Sequence, residues 1–154
     1  MSDFKSFMLS GLKNDNTEIL TFKGVDTFKD SEGNPIPLKF KKLTEKEVEK
    51  FRKEFTTRTP AVDKNGKYII RNGRIINDIE TDLDSFSDAI IAESMVYPDL
   101  KDKSLYDYYN VYSKIELLNV LFKGDDYKYV DRCAAQACGM SPIDEDELVK
   151  ELKN

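Results

Sequence analysis

A chain of 154 residues, 40% hydrophobic and 34% charged, has the profile of one soluble domain, long enough to bury about 70% of its unfolded surface without staples. It has no histidine and only two cysteines, which removes the commonest general base, the commonest metal ligand and the Ser-His and Cys-His nucleophile pairs. No glycine-rich phosphate loop occurs, and no apolar run approaches the roughly 20 residues that cross a bilayer. No membrane, cofactor or metal role is therefore expected. Met1–Leu12 carries Asp3 and Lys5 and lacks a long apolar stretch and a cleavage site. The expected location is the cytoplasm.

The net charge of −5 is unevenly spread: residues 1–75 carry 16 basic and 11 acidic side chains (net +5), and residues 76–154 carry 8 and 18 (net −10). An acidic chain lacks the basic face that phosphate neutralisation needs, so no nucleic-acid partner is expected. The asymmetry reads either as two solvated faces of opposite sign or as a basis for head-to-tail self-association or an oriented basic partner.

In chain order, Ser2–Leu12 reads as a short helix with Phe4, Phe7 and Met8 on one side. Asn14-Asp15-Asn16 is a turn. Glu18–Phe28 reads as a strand with a bulge at Gly24. Asp30-Ser31-Glu32-Gly33-Asn34-Pro35 is a turn signal, and the alternation of Ile36, Leu38 and Phe40 predicts a half-buried strand over 36–42. The two strands are expected to pair as an antiparallel hairpin.

Thr44 and Glu47 have capping-box spacing, with Leu43 and Val48 as a hydrophobic staple, so a helix is predicted over about 45–57. Residues 57–67 read as a loop. Asn72-Gly73 between Tyr68-Ile69-Ile70 and Ile75-Ile76 predicts a second hairpin over 67–79, or a mobile flap on polar flanks. Thr81 is the next expected N-cap, for an apolar helix running to about Val96 and ended by Pro98. Ser104 and Ser113 read as further N-caps, Ser113 with Glu116 as a second capping box. Val130, Cys133, Ala134, Ala137 and Cys138 fit one helical face stopped by Gly139. Asp144–Glu147 starts a predicted acidic helix to about Leu152. Strands first and helices second give an α+β fold: antiparallel hairpins in the N-terminal half packed on a mainly helical C-terminal half. A single domain over 1–154 is expected, hairpin-rich over 1–80 and helical over 81–154.

Cys133 and Cys138 share the apolar face, so both are expected reduced and buried. The acidic run lacks the alternating ligands and glycine of a calcium loop. Five of the eight tyrosines, Tyr97, Tyr106, Tyr108, Tyr109 and Tyr112, lie between residues 97 and 112. With Pro98, Leu100 and Leu105 they form the candidate partner-binding region, because tyrosine offers large area with a polar tip. The same rings also suit the packed junction between helices, and both readings stand.

The stretch Ile90-Ile91-Ala92-Glu93-Ser94-Met95-Val96-Tyr97-Pro98-Asp99-Leu100-Lys101-Asp102 resembles the signature of the XkdN-like phage tail assembly chaperones. Leu105, Tyr108, Glu116-Leu117-Leu118, Gly124-Asp125-Asp126-Tyr127 and the Asp30–Phe40 segment resemble the same family. The likeness spans about 18–152 and departs at 58–80, where the Asn-Gly hairpin is longer than the family's polar loop. The resemblance implies a non-catalytic chaperone of contractile-type tails, in phages, prophages and tail-like bacteriocins. It would hold the tape measure protein soluble and leave as tail tube protein polymerises. The alternative is a structural tail or baseplate component retained in the finished particle.

Overall fold

A computed structural model describes Lys5 and residues 18–149. The expected helix at Ser2–Leu12 and the turn at 14–16 lie outside the described residues. The fold is α+β, as expected: a three-stranded antiparallel sheet backed by helices, with a long arm between.

β1 (Ile19–Phe22) and β2 (Leu38–Lys41) form the predicted antiparallel pair, with Leu20 opposite Phe40 and Phe22 opposite Leu38. The period-two alternation puts Phe22, Leu38 and Phe40 on the covered face, all at most 3% exposed. The Phe22 and Phe40 rings meet edge to face at 5.8 Å. In the connection, Asp30 Oδ1 accepts from the backbone N–H of Glu32 and of Asn34, both at 2.9 Å. Gly24 lies beyond the end of β1 and makes no bulge within it. A Cβ there would stand 2.0 Å from the Ile36 carbonyl oxygen, so the two limbs of the connection approach as closely as only glycine permits.

α1 (Glu45–Glu54) starts at the predicted capping box: Thr44 Oγ1 accepts from Glu47 N–H at 3.2 Å and Glu47 reaches back to Thr44 N–H. The staple pair Leu43 and Val48 joins Phe86, Ile90 and Cys138 in a small second core. The first part of the loop expected over 57–67 is instead a strand, while 61–67 is irregular with a turn at 64–66. β3 (Thr56–Pro60) pairs with β6 (Asn77–Thr81), Thr56 opposite Thr81 and Pro60 opposite Asn77. Polar, β-branched threonines suit an exposed ribbon, and a ribbon exposed on both faces has no apolar alternation to announce it. At its far end Ala61, Ile69 and Ile76 exchange backbone hydrogen bonds. The predicted Asn72-Gly73 turn closes β4 (Ile70–Arg71) on β5 (Arg74–Ile75), with φ 51° and 75° at the two turn residues.

The next helix, α2 (Leu83–Ser94), is capped by Asp82 rather than Thr81. Thr81 belongs to β6, while Asp82 accepts from Ser85 N–H at 3.1 Å and Ser85 Oγ–H at 2.7 Å. The hydroxyl bond, then the backbone bond, holds the Asp82 carboxyl below its usual range. α2 does not run to Val96. Residues Met95–Tyr97 form β7, which pairs antiparallel with β2 and completes the sheet in the order β1-β2-β7. The residue before a proline is held extended, and that conformation suits a strand. The Tyr97–Pro98 peptide is cis.

α3 (Lys103–Tyr109) is capped by Asp102, not by Ser104, whose N–H donates to Asp102 Oδ1 at 2.8 Å. α4 (Lys114–Leu121) is capped by Ser113 as predicted, and the Glu116 carboxylate accepts from Tyr112 N–H at 2.8 Å. α5 (Asp125–Ala137) carries the predicted apolar face. Ile91, Leu117, Leu118, Val130, Cys133 and Ala134 are fully buried between these helices and the sheet. Both cysteines are free thiols and buried, and burial pushes the Cys133 thiol up to about 12 and raises that of Cys138.

The acidic run is not a helix over its described residues. Asp144 Oδ1 accepts from Asp146 N–H at 3.0 Å, making a tight turn. The backbone beyond it is spent on the free edge of β1: Lys23 N–H donates to the Glu147 carbonyl at 2.7 Å and Val149 N–H to the Thr21 carbonyl at 2.8 Å. An ion pair between Arg132 and Glu147 fastens this clasp to α5.

Candidate functional site

The three-stranded sheet leaves an opening between the β1–β2 connection and α3. The opening is an apolar groove of about 340 Å³. Val25, Phe28, Ile36 and Leu38 form one wall; Leu105 and Tyr109 of α3 form the other, with Tyr97 and Pro98 at its end. Leu121 and Phe122, at the end of α4, make the floor. Phe28 meets Phe122 edge to face at 5.9 Å, which fixes the hairpin wall to the helical layer. Two further bonds hold the hairpin to α5: Tyr129 hydroxyl to the Lys23 carbonyl at 2.7 Å and Thr27 hydroxyl to Asp126 at 2.6 Å.

Two carboxylates, Asp99 and Asp102, stand among the lining residues, and no lysine or arginine does. Each spends one oxygen on its own turn, Asp99 on Lys101 N–H at 3.0 Å and Asp102 on Ser104 N–H at 2.8 Å.

The candidate residues divide according to burial. Tyr97, Pro98, Leu105 and Tyr109 line the groove. Tyr108 and Tyr112 are 81% and 83% exposed, and Tyr108 packs edge to face on Tyr109 at 4.9 Å. Leu100 is buried, and Tyr106 is half-buried with its hydroxyl donating to the Leu100 carbonyl at 2.6 Å. These last two therefore hold the turn before α3 in place from beneath. The tyrosine cluster is thus surface in part and junction in part. The hairpin wall was not among the candidates. Its signal was Ile36, one step ahead of Leu38 in the same alternation, with Phe28 across the turn.

A second feature is the arm. From Thr57 to Glu80, Ala61 is the only buried residue. Val62, Tyr68, Ile70, Ile75 and Ile79 are all about half exposed or more. The arm is held at its base by Asp82 N–H on the Phe55 carbonyl at 2.9 Å and by the Thr56–Thr81 hydroxyl contact, also 2.9 Å.

Carboxylates elsewhere are tied into the fold. Asp88 accepts from the Tyr127 hydroxyl at 2.5 Å and from Asn119 at 3.3 Å, linking α2, α4 and α5. Burial, then the Asp88 charge, raises the pKa of Asp131 beside it. Among the described residues no group of three Cys, Asp or Glu side chains is placed to hold a metal ion. Among those residues, too, no helix is long and apolar enough to cross a membrane.

Comparison with known proteins agrees with this anatomy. Residues 4–153 match the family model of the phage XkdN-like tail assembly chaperone proteins. The chain is 32% identical to the phage-like element PBSX protein XkdN of Bacillus subtilis (strain 168) over 130 residues, 82% of this chain and 78% of that protein. It is 33% identical to the uncharacterized protein YqbN of the same strain over 101 residues, 65% of this chain and 60% of that one. The crystal structure of the protein YqbN shares the fold, with a TM-score of 0.62 at 24% identity over 87% of this chain and 94% of that one. The chain belongs to the XkdN-like phage tail assembly chaperones.

Proposed function

We propose that this tail assembly chaperone binds the tape measure protein in the host cytoplasm, keeps it soluble, and yields it as tail tube protein polymerises, without catalysing a reaction. The observation that carries this reading is the groove between the β1–β2 connection and α3. Its walls are aliphatic and aromatic, and its volume of about 340 Å³ lies at the low end of ligand pockets. An amphipathic helix presents apolar side chains at i, i+3, i+4 and i+7, and a groove of this kind takes such a ridge. The exposed ring of Tyr108, packed on Tyr109 of the groove wall, widens the apolar shelf beside it. The acidic surface of the second half keeps a loaded complex from condensing.

The test is co-purification of the tape measure protein with Leu105→Ser and Tyr108→Ala variants, alongside each variant's melting temperature. Truncating an anchoring side chain at an interface costs about 2 kcal/mol, or about thirtyfold in affinity. Tyr108→Ala is expected to lose capture with an unchanged melting temperature, and Leu105→Ser, whose side chain is half-buried against the core, to lose more capture than its lowered melting temperature accounts for. Loss of capture only in proportion to lost stability would defeat the reading. Finding the chain in purified finished tails would make it a structural component instead.

A further inference from the structure

We propose that the outer edge of β1 takes an added strand from a partner protein, with residues 144–149 as its built-in competitor. The strand it takes is an extended segment in which a carboxylate residue is followed directly by an aliphatic one. The clasp itself shows what the edge recognises. Lys23 N–H donates to the Glu147 carbonyl at 2.7 Å and Val149 N–H to the Thr21 carbonyl at 2.8 Å, the paired donor and acceptor of an antiparallel strand addition. Between those two bonds Leu148 stands opposite Phe22 and packs against the main core. The Glu147 carboxylate, 18% exposed, meets the Arg132 guanidinium with both oxygens, one on Nε and one on Nη2.

The site keeps its shape when the clasp leaves. Arg132 is stacked over the Tyr129 ring at 5.3 Å, and the Tyr129 hydroxyl donates to the Lys23 carbonyl at 2.7 Å. The guanidinium is therefore held beside the edge without help from Glu147. Gln136 is 4% exposed, and its Oε1 accepts from Asp144 N–H at 3.1 Å. A buried acceptor that loses its donor is costly. An empty edge strands this carboxamide, the guanidinium and two backbone groups together, so the clasp is exchanged for another strand more readily than it is simply lost.

The clasp is also a weak competitor. Residues 142–146 are exposed, and the four consecutive carboxylates of Asp144–Glu147 repel one another. Segments with few buried contacts open locally at small cost. A stronger occupant needs a carboxylate for Arg132, an aliphatic side chain for the Leu148 seat and fewer acids around them. A site with its own occupant gives up a partner once that partner is drawn away, because the clasp closes behind it. This last consequence, for release of the tape measure protein, rests on the function proposed above; the site itself does not.

The probe is a fluorescent peptide of residues 143–149 with a blocked C-terminus, titrated by anisotropy into the intact chain and into a full-length variant, Glu147→Gln with Val149→Pro. The variant loses the charge and one backbone donor of its own clasp. It is expected to bind the peptide about tenfold or more tighter than the parent, whose clasp fills the edge most of the time. Adding Arg132→Met to the variant, or changing the peptide's glutamate at position 147 to glutamine, weakens binding about tenfold. In hydrogen exchange, the Lys23 amide opens in the variant and is protected again by the peptide, a change that binding elsewhere would not produce. If the double variant does not fold, Val149→Pro alone takes its place. A variant that does not bind the peptide overturns the proposal. So does one that binds it no tighter than the parent, or one whose Lys23 amide stays unprotected in the complex. Capture of the tape measure protein is scored separately. If capture persists while the peptide fails to bind, the inference fails and the proposed function stands; if the peptide behaves as described but the client is not captured, the reverse holds.

Discussion

The layered body and the arm put their apolar side chains to different uses. The body sinks Phe22, Phe40, Ile91, Leu117, Leu118, Phe122 and Val130 to 1% exposure or less. The arm buries Ala61 and leaves Ile70 and Ile79 more than 60% exposed. Burial of this kind is worth about 1.5–3 kcal/mol for each large aliphatic side chain, so the body carries the fold. The arm, a ribbon pinned at its base, contributes little to stability and keeps its apolar area for contact.

The largest test of that division is Leu118→Ala. The side chain is fully buried, and its loss should cost about 2–5 kcal/mol in chemical denaturation. Ile70→Ala in the arm should stay within about 0.5 kcal/mol of the parent. Equal costs would mean that the arm is part of the cooperative core. Gly24→Ala should come next, at about 1–3 kcal/mol, since the added Cβ would meet the Ile36 carbonyl at 2.0 Å and the hairpin wall must shift to make room. Thr44→Ala removes a capping bond to Glu47 N–H and should cost about 1 kcal/mol. The smallest effect is electrostatic. The Lys114 ammonium, 3.0 Å from the Glu93 carboxylate, holds the Glu93 pKa below its usual value against a smaller desolvation penalty. A depressed carboxyl pKa gives stability that is present above the unfolded-state pKa and is lost as pH falls through the folded value. Lys114→Met should therefore lower stability at neutral pH by less than about 1 kcal/mol, because the pair is about one-third exposed. The difference should vanish in acid.

The same division explains what the sequence disclosed. Where one face is buried, pattern and structure agree: Ile36, Leu38 and Phe40 mark the hairpin, and Val130, Cys133, Ala134 and Ala137 mark α5. Local chemistry was equally plain at Thr44–Glu47, Ser113–Glu116 and Asn72-Gly73, because caps and tight turns involve only near neighbours. Legibility failed where distant backbone decided the outcome. Met95–Tyr97 has helical neighbours and an apolar composition, yet pairing with β2 makes it a strand. Asp144–Glu147 has the acidic profile of a helix start, yet the edge of β1 claims the backbone that follows. Thr56–Pro60 has no apolar period, since neither of its faces is covered. At the candidate site the sequence located Tyr97, Pro98, Leu105 and Tyr109. It could not supply the opposite wall, Val25, Phe28 and Ile36, because that apposition depends on how the hairpin turns over the helices.

The clasp of 147–149 along β1 has a further consequence for the order in which the molecule is completed. Phe22 and Leu148, partners in an isolated bridge, lie far apart in the sequence. During synthesis β1 emerges before residues 147–149, and its outer N–H and C=O groups lack these partners until that segment follows. Contacts between such remote positions form slowly, and an open strand edge meanwhile invites pairing with neighbouring chains. On a polysome translating this message, nascent copies stand close together with that edge bare. The Arg132–Glu147 pair, which draws the clasp onto α5, thus favours the closed clasp over an open sheet edge.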